Sequence, residues 1–291
     1  MVPVDALDAL DLLIWLGTGT EVARHCRCNQ STISRRVHQA LGPFGLELNR
    51  RQGEWALREE SQLLALERQV HQLHRFLKGR QLRIDASYLA GPLLQVLTTK
   101  SQTWIHGRLK TIGSHRPLEL LRQRVLDAWI TGMDQDLPGL DPQTFTRIGL
   151  LRTPLRLVAA DDHPLHGQGE LSGTDLAPFP RLAPRPGLYP QTEHQIKPLG
   201  LKPAMHLAPP NHYGPELTGA TPLALHYGTA ISLLNSPRQQ PLDVSLNVDS
   251  QVSLVVRTDL LEQPAVALLL DQLRAQSRLL GSRSDAVRLV A

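Results

Sequence analysis

Apolar residues recur at helical spacing over residues 5–16, where Asp alternates with Leu, Ile and Trp, and Gly17 ends the run. Thr20 reads as the N-cap of a second short helix reaching about Cys26, followed by a turn at Arg27–Asn29. The stretch NQSTISRRVHQAL at Asn29–Leu41 predicts a third helix, with Ile33, Val37 and Ala40 inward and Gln30, Ser31, Thr32, Arg35 and Arg36 outward. Gly42, Pro43 and Gly45 stop it. LNRRQGEWAL at Leu48–Leu57 predicts a hairpin turning at Gln52–Gly53.

Helix, helix, turn, helix, hairpin is the outline of a winged helix-turn-helix. From Glu59 to Lys78 neither Gly nor Pro interrupts the chain, and Leu63, Leu66, Val70, Leu73 and Leu77 follow at steps of 3, 4, 3 and 4. That spacing makes a coiled-coil-like seam, which must be buried by the same domain or by a second copy. Glu59 and Glu60 are expected in its first turn, where they suit the helix dipole. Beyond Gly79 the period changes. Strands are expected at 82–87, Trp104–Ile112, Arg147–Ala159, Ala204–Ala208, Leu242–Val248 and Ser253–Arg257. Helices are expected at Leu89–Leu97, Pro117–Trp129 and Pro264–Leu280, with a loose tail beyond Gly281. Strands alternating with helices predict an α/β domain of mostly parallel pairing.

Charge sharpens the first part of this picture. The net charge of +4 is small, but residues 22–58 hold seven Arg against Glu47 and Glu54, an excess of +5 in one short segment. An anionic partner is expected there. The N-terminus lacks a positive n-region and makes a poor signal peptide, no run is long enough to span a membrane, and two cysteines fit a reducing cytoplasm. A cytoplasmic protein without membrane association is expected.

Few residues suggest catalysis. His25, Cys26 and Cys28 lack the second ligand pair of a zinc site, and the two cysteines are expected as small buried hydrophobes. DDHPLH (161–166) resembles a metal cluster only on paper, and GTGT (17–20) has no preceding strand to make a phosphate loop. Gly-x-Ser-x-Gly, His-Glu-x-x-His and Walker lysine motifs are lacking. The expectation is no enzyme, no metal and no cofactor.

Gly17-Thr18, Val22-Ala23, Gln30 and Ile33-Ser34-Arg35, then Phe44-Gly45, Leu48-Asn49, Arg51 and Leu57-Arg58, together resemble the DNA-binding domain of LysR-type transcriptional regulators. LRIDAS, PLELLRQRVLDAWITG, LRLVAADDHPL, LALHYGTAISLL (taken as a late helix) and VSLVVRTDLLEQPAVALLLDQLR resemble that family's effector domain in order and spacing, over about residues 7–280. Departures fall at Leu41 (a Glu in the family), Pro43, Asn49 (a Phe), Arg58 (a helix-capping Thr) and a wing one residue short.

The resemblance implies a winged helix-turn-helix over residues 1–58, a linker and dimerisation helix over 59–79, and a two-lobed, periplasmic-binding-protein-like effector domain over 82–291. It implies contacts to double-stranded DNA from Gln30, Ser31, Thr32, Ser34, Arg35 and Arg36 on the recognition helix and from Arg50 and Arg51 on the wing. Gln and Arg suit base edges, and hydroxyls suit phosphate. Leu63, Leu66, Val70, Leu73 and Leu77 would pair protomers into a dimer or tetramer. Ser87, Tyr88, Tyr189 and Thr192, with Gly132-Met133 behind them, are the candidates for a small-molecule effector of unspecified identity. The competing class is a ligand-binding or enzymatic α/β protein whose N-terminal part serves protein contacts.

Overall fold

The computed structural model describes residues 2–51, 53–79, 81–98, 103–107, 109, 112–199 and 223–290. The chain forms two compact units. The first takes residues 1–85, 102–108 and 116–128, and the second takes 86–101, 109–115 and 129–291.

The first unit opens with α1 (Val4–Leu16), which Gly17 ends in the left-handed region at φ 81°. α2 (Gly19–His25) is capped by Thr18 rather than by the expected Thr20. Thr18 has extended backbone and its hydroxyl accepts from the Glu21 amide at 3.3 Å, whereas Thr20 already lies inside the helix. α3 (Gln30–Leu41) follows a turn in which Arg27 has φ 50°. Pro43 falls in a 3-10 turn over Gly42–Phe44, so it ends α3 without breaking it. β1 (Leu48–Arg51) and β2 (Glu54–Leu57) form the expected antiparallel hairpin, with Arg51 opposite Glu54. Two residues, 52 and 53, separate the strands, which accounts for the short wing.

α4 (Gln62–Lys78) begins three residues later than 59. Ser61 caps it by accepting from the Leu64 amide at 3.3 Å, which leaves Glu59 and Glu60 ahead of the helix. β3 (Leu82–Ala86) is buried throughout. It reaches the end of this unit and pairs in parallel with β4 (Trp104–His106). Its neighbour in sequence, α5 (Gly91–Thr98), belongs to the second unit. α6 (His115–Arg122) is shorter than expected, since Ala128–Thr131 is the buried strand β5 and not a continuation of the helix.

In the second unit, the expected single strand at 147–159 is two: β6 (Phe145–Pro154) and β7 (Arg156–Ala160). Pro154 lacks the amide that a continuous ladder would need. α7 (Gly173–Leu176), β8 (Arg181–Leu182) and α8 (Pro190–Ile196) follow. The expected strand at 204–208 lies outside the described residues. LALHYGTAISLL supplies strand β9 (Leu225–Gly228) and a 3-10 turn at Ser232–Asn235, not a helix. β10 (Gln239–Pro241) and β11 (Asp249–Arg257) flank residues 242–248, which form no strand. The tail is ordered: α9 runs over Pro264–Arg283, and β12 (Arg288–Leu289) pairs with β6.

The α/β class is as expected, but pairing is mixed. β6 lies antiparallel between β11 and β12, and β7 lies antiparallel between β9 and β10, while β8–β9 is parallel. The four-stranded sheet β10-β7-β9-β8 packs an apolar cluster including Leu155, Leu157, Leu225, Tyr227 and Leu242.

Candidate nucleic-acid interface and ligand site

The start of α3 is held by one side chain. The Asn29 carboxamide oxygen accepts from the Thr32 amide at 2.9 Å and from the Ser31 and Thr32 hydroxyls at 2.8 Å each. This satisfies an amide that the helix itself leaves unpaired. Ile33, Val37, Ala40 and Leu41 are buried, and α1 carries most of α3's packing. Leu41 thus spends the family's Glu position on the core. The outward face then presents Gln30, Ser31, Ser34 and Arg35, all exposed, with Thr32 half-buried.

Several predicted contacts are already engaged. Arg36 pairs with Asp5 of α1 at 2.7 Å. Arg35 donates to the Thr32 hydroxyl at 3.3 Å. On the wing, Arg50 stacks over the Trp55 ring with 5.1 Å to its centroid and donates to the Gly17 carbonyl at 3.3 Å. Trp55 donates to the same carbonyl at 3.1 Å, which fixes the wing against the end of α1. Arg51 is exposed. Arg58 pairs with Glu47 at 2.6 Å. Asn49, at the family's Phe position, is half-buried with its carboxamide oxygen unpaired. Arg24 and Arg27 are exposed as well, in the same unit. Only the local basic excess pointed to them, since the HTH motif itself does not use these positions.

α4 turns its leucine seam outward. Leu63, Leu66, Val70, Leu73 and Leu77 are 64%, 55%, 57%, 41% and 84% exposed. Its buried face instead holds Leu64, Arg68, His71, Gln72, Arg75 and Phe76. Arg68 bonds Asp11 of α1 at 2.8 Å, and Arg75 bonds Asp127 at 2.8 Å. Gln72 donates to Asp127 at 2.9 Å, as does the Arg83 amide at 2.8 Å. The Arg83 guanidinium of β3 reaches Asp8 at 2.7 Å and Asp11 at 3.4 Å. Three arginines thus meet three carboxylates inside one unit, and the Asp127 carboxylate beside Arg75 holds that guanidinium protonated against the cost of burial.

The ligand candidates lie in the second unit. Ser87 is buried and its hydroxyl is unpartnered. A Cβ at Gly132 would stand 2.8 Å from that hydroxyl, so only glycine permits this approach. Burial pushes the Tyr88 phenol up to about 12, offset by its bond with Ser232. Burial also raises the Tyr189 phenol, whose oxygen accepts from the Gly113 amide at 2.7 Å. Thr192 donates to Asp136, whose carboxylate also takes the Gln191 and Thr192 amides at 2.7 and 3.3 Å. Of the four candidates, Ser87 alone keeps an uncommitted hydroxyl. All four are neutral groups, suited to binding.

The other motifs are structural. His163 accepts from the Leu165 amide at 3.2 Å and bonds the Leu223 carbonyl at 3.3 Å, and His166 bonds the Ala160 carbonyl at 2.8 Å. Both rings therefore staple the turn after β7. Cys26 and Cys28 are free thiols, and burial pushes the Cys26 thiol up, away from reactivity. Among the described residues, no group of three or more His, Cys, Asp or Glu is placed to hold a metal, and no helix is long and apolar enough to cross a membrane.

The winged helix-turn-helix outline and the α/β region after it can be compared with known proteins. The LysR substrate binding domain family matches residues 80–214. A protein of Synechococcus elongatus named "Probable nitrogen assimilation transcriptional activator" is 31% identical over 204 residues, covering 64% of this chain and 65% of that protein. The chain thus spans just under two thirds of that relative's length. The solved structure of CbnR, described as a LysR family transcriptional regulator, superposes with a TM-score of 0.52 at 15% identity, covering 94% of this chain and 98% of that one. ArgP from Mycobacterium tuberculosis also gives 0.52, at 17% identity over 93% and 95% of the two chains. The chain thus resembles the LysR-type regulators, in sequence over residues 80–214 and in fold over most of its length.

Proposed function

We propose that this protein is a DNA-binding transcriptional regulator whose reading head is α3 and whose DNA binding responds to a small molecule held in the second unit. One observation carries the reading. α3 commits its apolar side to the core and leaves Gln30, Ser31, Ser34 and Arg35 together on the outside, beside a wing bearing Arg50 and Arg51. A helix so presented suits the major groove, with Gln and Arg on base edges and hydroxyls on phosphate. Arg36 acts indirectly in this account, tying α3 to α1 through Asp5. Residues 1–58 serve as the DNA-binding domain, 59–79 as the linker helix and 82–291 as the effector domain.

The exposed seam of α4 pairs the linker helices of two copies, as a dimer or as the unit of a tetramer. Its 3-4 spacing fits a coiled coil, and among the described residues it stays exposed. Ser87, with its free hydroxyl, is the residue offered to the effector, with Tyr88 beside it. No catalytic role is assigned. The protein acts in the cytoplasm, where its DNA target is.

A mobility-shift titration on the DNA upstream of the protein's own gene tests the reading, with the full chain beside a Gln30→Ala/Arg35→Ala variant. The variant is expected to bind at least tenfold more weakly, because each base-edge contact contributes about 1–3 kcal/mol of discrimination. Wild-type affinity should fall steeply with salt. Equal binding by both proteins, indifferent to salt, overturns the assignment.

A further inference from the structure

The proposed effector site does not use Arg156, a guanidinium of the second unit that stands unpaired among the described residues beside a largely apolar pocket. β6 ends at Pro154, and β7 restarts the strand alternation at Arg156. Leu155 and Leu157 turn into the apolar cluster, so Arg156 falls on the opposite face. There it lines a pocket of about 460 Å³ with Thr153, Leu233, Pro241, Leu242 and Ser284. Every lining residue belongs to the second unit.

Three features make this a built site. Arg156 is half-buried, and among the described residues its guanidinium makes neither ion pair nor hydrogen bond. A guanidinium drawn partly out of water without a counter-ion favours an anionic guest. Thr153 also lines the pocket, and its buried hydroxyl has no partner among the described residues. The Ser284 hydroxyl accepts from the Ala286 amide at 3.3 Å, which leaves its own proton to donate. Apart from Asp243 the remaining wall is aliphatic, and the volume lies in the range of small-molecule sites, roughly 300–1,000 Å³.

We propose that this pocket is a second ligand site, for a small monocarboxylate with an apolar body, whose carboxylate pairs with Arg156. One cation and few hydroxyls match a single negative charge. A phosphate dianion would need more donors than the wall provides. Asp243 also lines the pocket, but its side chain is exposed and its repulsion is screened by water and salt. The apolar body lies against Leu233, Pro241 and Leu242, away from the group proposed to meet the effector at Ser87.

The test is isothermal titration of the full chain with 2-naphthoate, with neutral 2-naphthamide as the isosteric control. The expected result is saturable binding at one site, weakened at least about tenfold in the amide and in Arg156→Gln, the loss of one charge-assisted pair. Ser87→Ala should bind 2-naphthoate as the wild type does. Ala286→Phe, which narrows the pocket from another wall, should also lose binding, so the result does not hang on the folding of one variant. Equal binding of acid and amide, full binding by Arg156→Gln and Ala286→Phe, or no saturation by about 1 mM overturns the proposal. Loss in Ser87→Ala alone overturns it too, by moving the guest to the other site. DNA binding enters none of these readouts, so the regulator assignment stands or falls separately.

Discussion

α3 and α4 are both amphipathic helices of the first unit, and they bury opposite kinds of face. α3 buries Ile33, Val37, Ala40 and Leu41 and exposes its polar side. α4 buries Arg68, His71, Gln72 and Arg75 along with Leu64 and Phe76, and exposes five of its apolar residues. Both follow the rule that a helix buries the face whose partners are at hand. For α3 the partner is the apolar side of α1. For α4 it is Asp11 and Asp127, which meet the arginines that water would otherwise have to solvate. The comparison teaches that hydrophobic periodicity reports a stripe that must be covered, but not whether the same chain covers it.

The comparison breaks most visibly at the exposed seam. Leu66→Lys with Leu73→Lys should abolish pairing of protomers, since each buried Leu contributes about 1.5–3 kcal/mol and both copies lose two. Sedimentation should show monomers with unchanged helicity, and persisting dimers would mean that the seam is covered by something else. The buried face is next. Asp127→Ala leaves Arg75 and Gln72 without their shared partner and should cost about 3–5 kcal/mol in denaturant unfolding. A cost near zero would show that the charged face of α4 is not held as described.

α3 is sharpened by a smaller change. Asn29→Ala removes the acceptor of three hydrogen bonds and should cost about 1 kcal/mol, with DNA affinity falling as the start of α3 frays. The smallest effect concerns His71 on α4. Burial lowers its affinity for a proton, so the unfolded chain takes up a proton near the ordinary value of about 6.5 while the folded chain resists it. Stability is therefore complete above that pH and declines as pH falls through the lower folded value. His71→Gln should flatten this decline in pH-dependent unfolding, and an unchanged slope would assign it to other groups.

Much of the N-terminal helix-and-hairpin segment was legible. The core positions of α3, the stop at Gly42–Gly45 and the hairpin all follow from local chemistry, in which each residue's partner lies a few positions away, although the cap of α2 fell at Thr18 rather than Thr20. Short apolar runs were less so. LALHYGTAISLL and the Ala128–Thr131 end of the PLELLRQRVLDAWITG segment read as helix but form strands β9 and β5, because a short, largely apolar run fits a buried strand and a helix equally well. The candidate ligand residues were legible as residue types after strands or at a helix start. Their state was not, since Tyr189 meets Gly113 and Thr192 meets Asp136 only across long stretches of chain.

The amino-acid order by itself determined the helical period, the turn glycines and the concentration of arginines in residues 22–58, because each depends on neighbours within about one helical turn. Only the tertiary structure decided which face of α4 is buried, that Arg36 serves Asp5, and that Ser87 and Arg156 find no partner among the described residues. Those outcomes turn on charges and hydroxyls brought together from distant positions. A buried polar group is costly until its partner arrives, and the identity of that partner is a property of the folded chain.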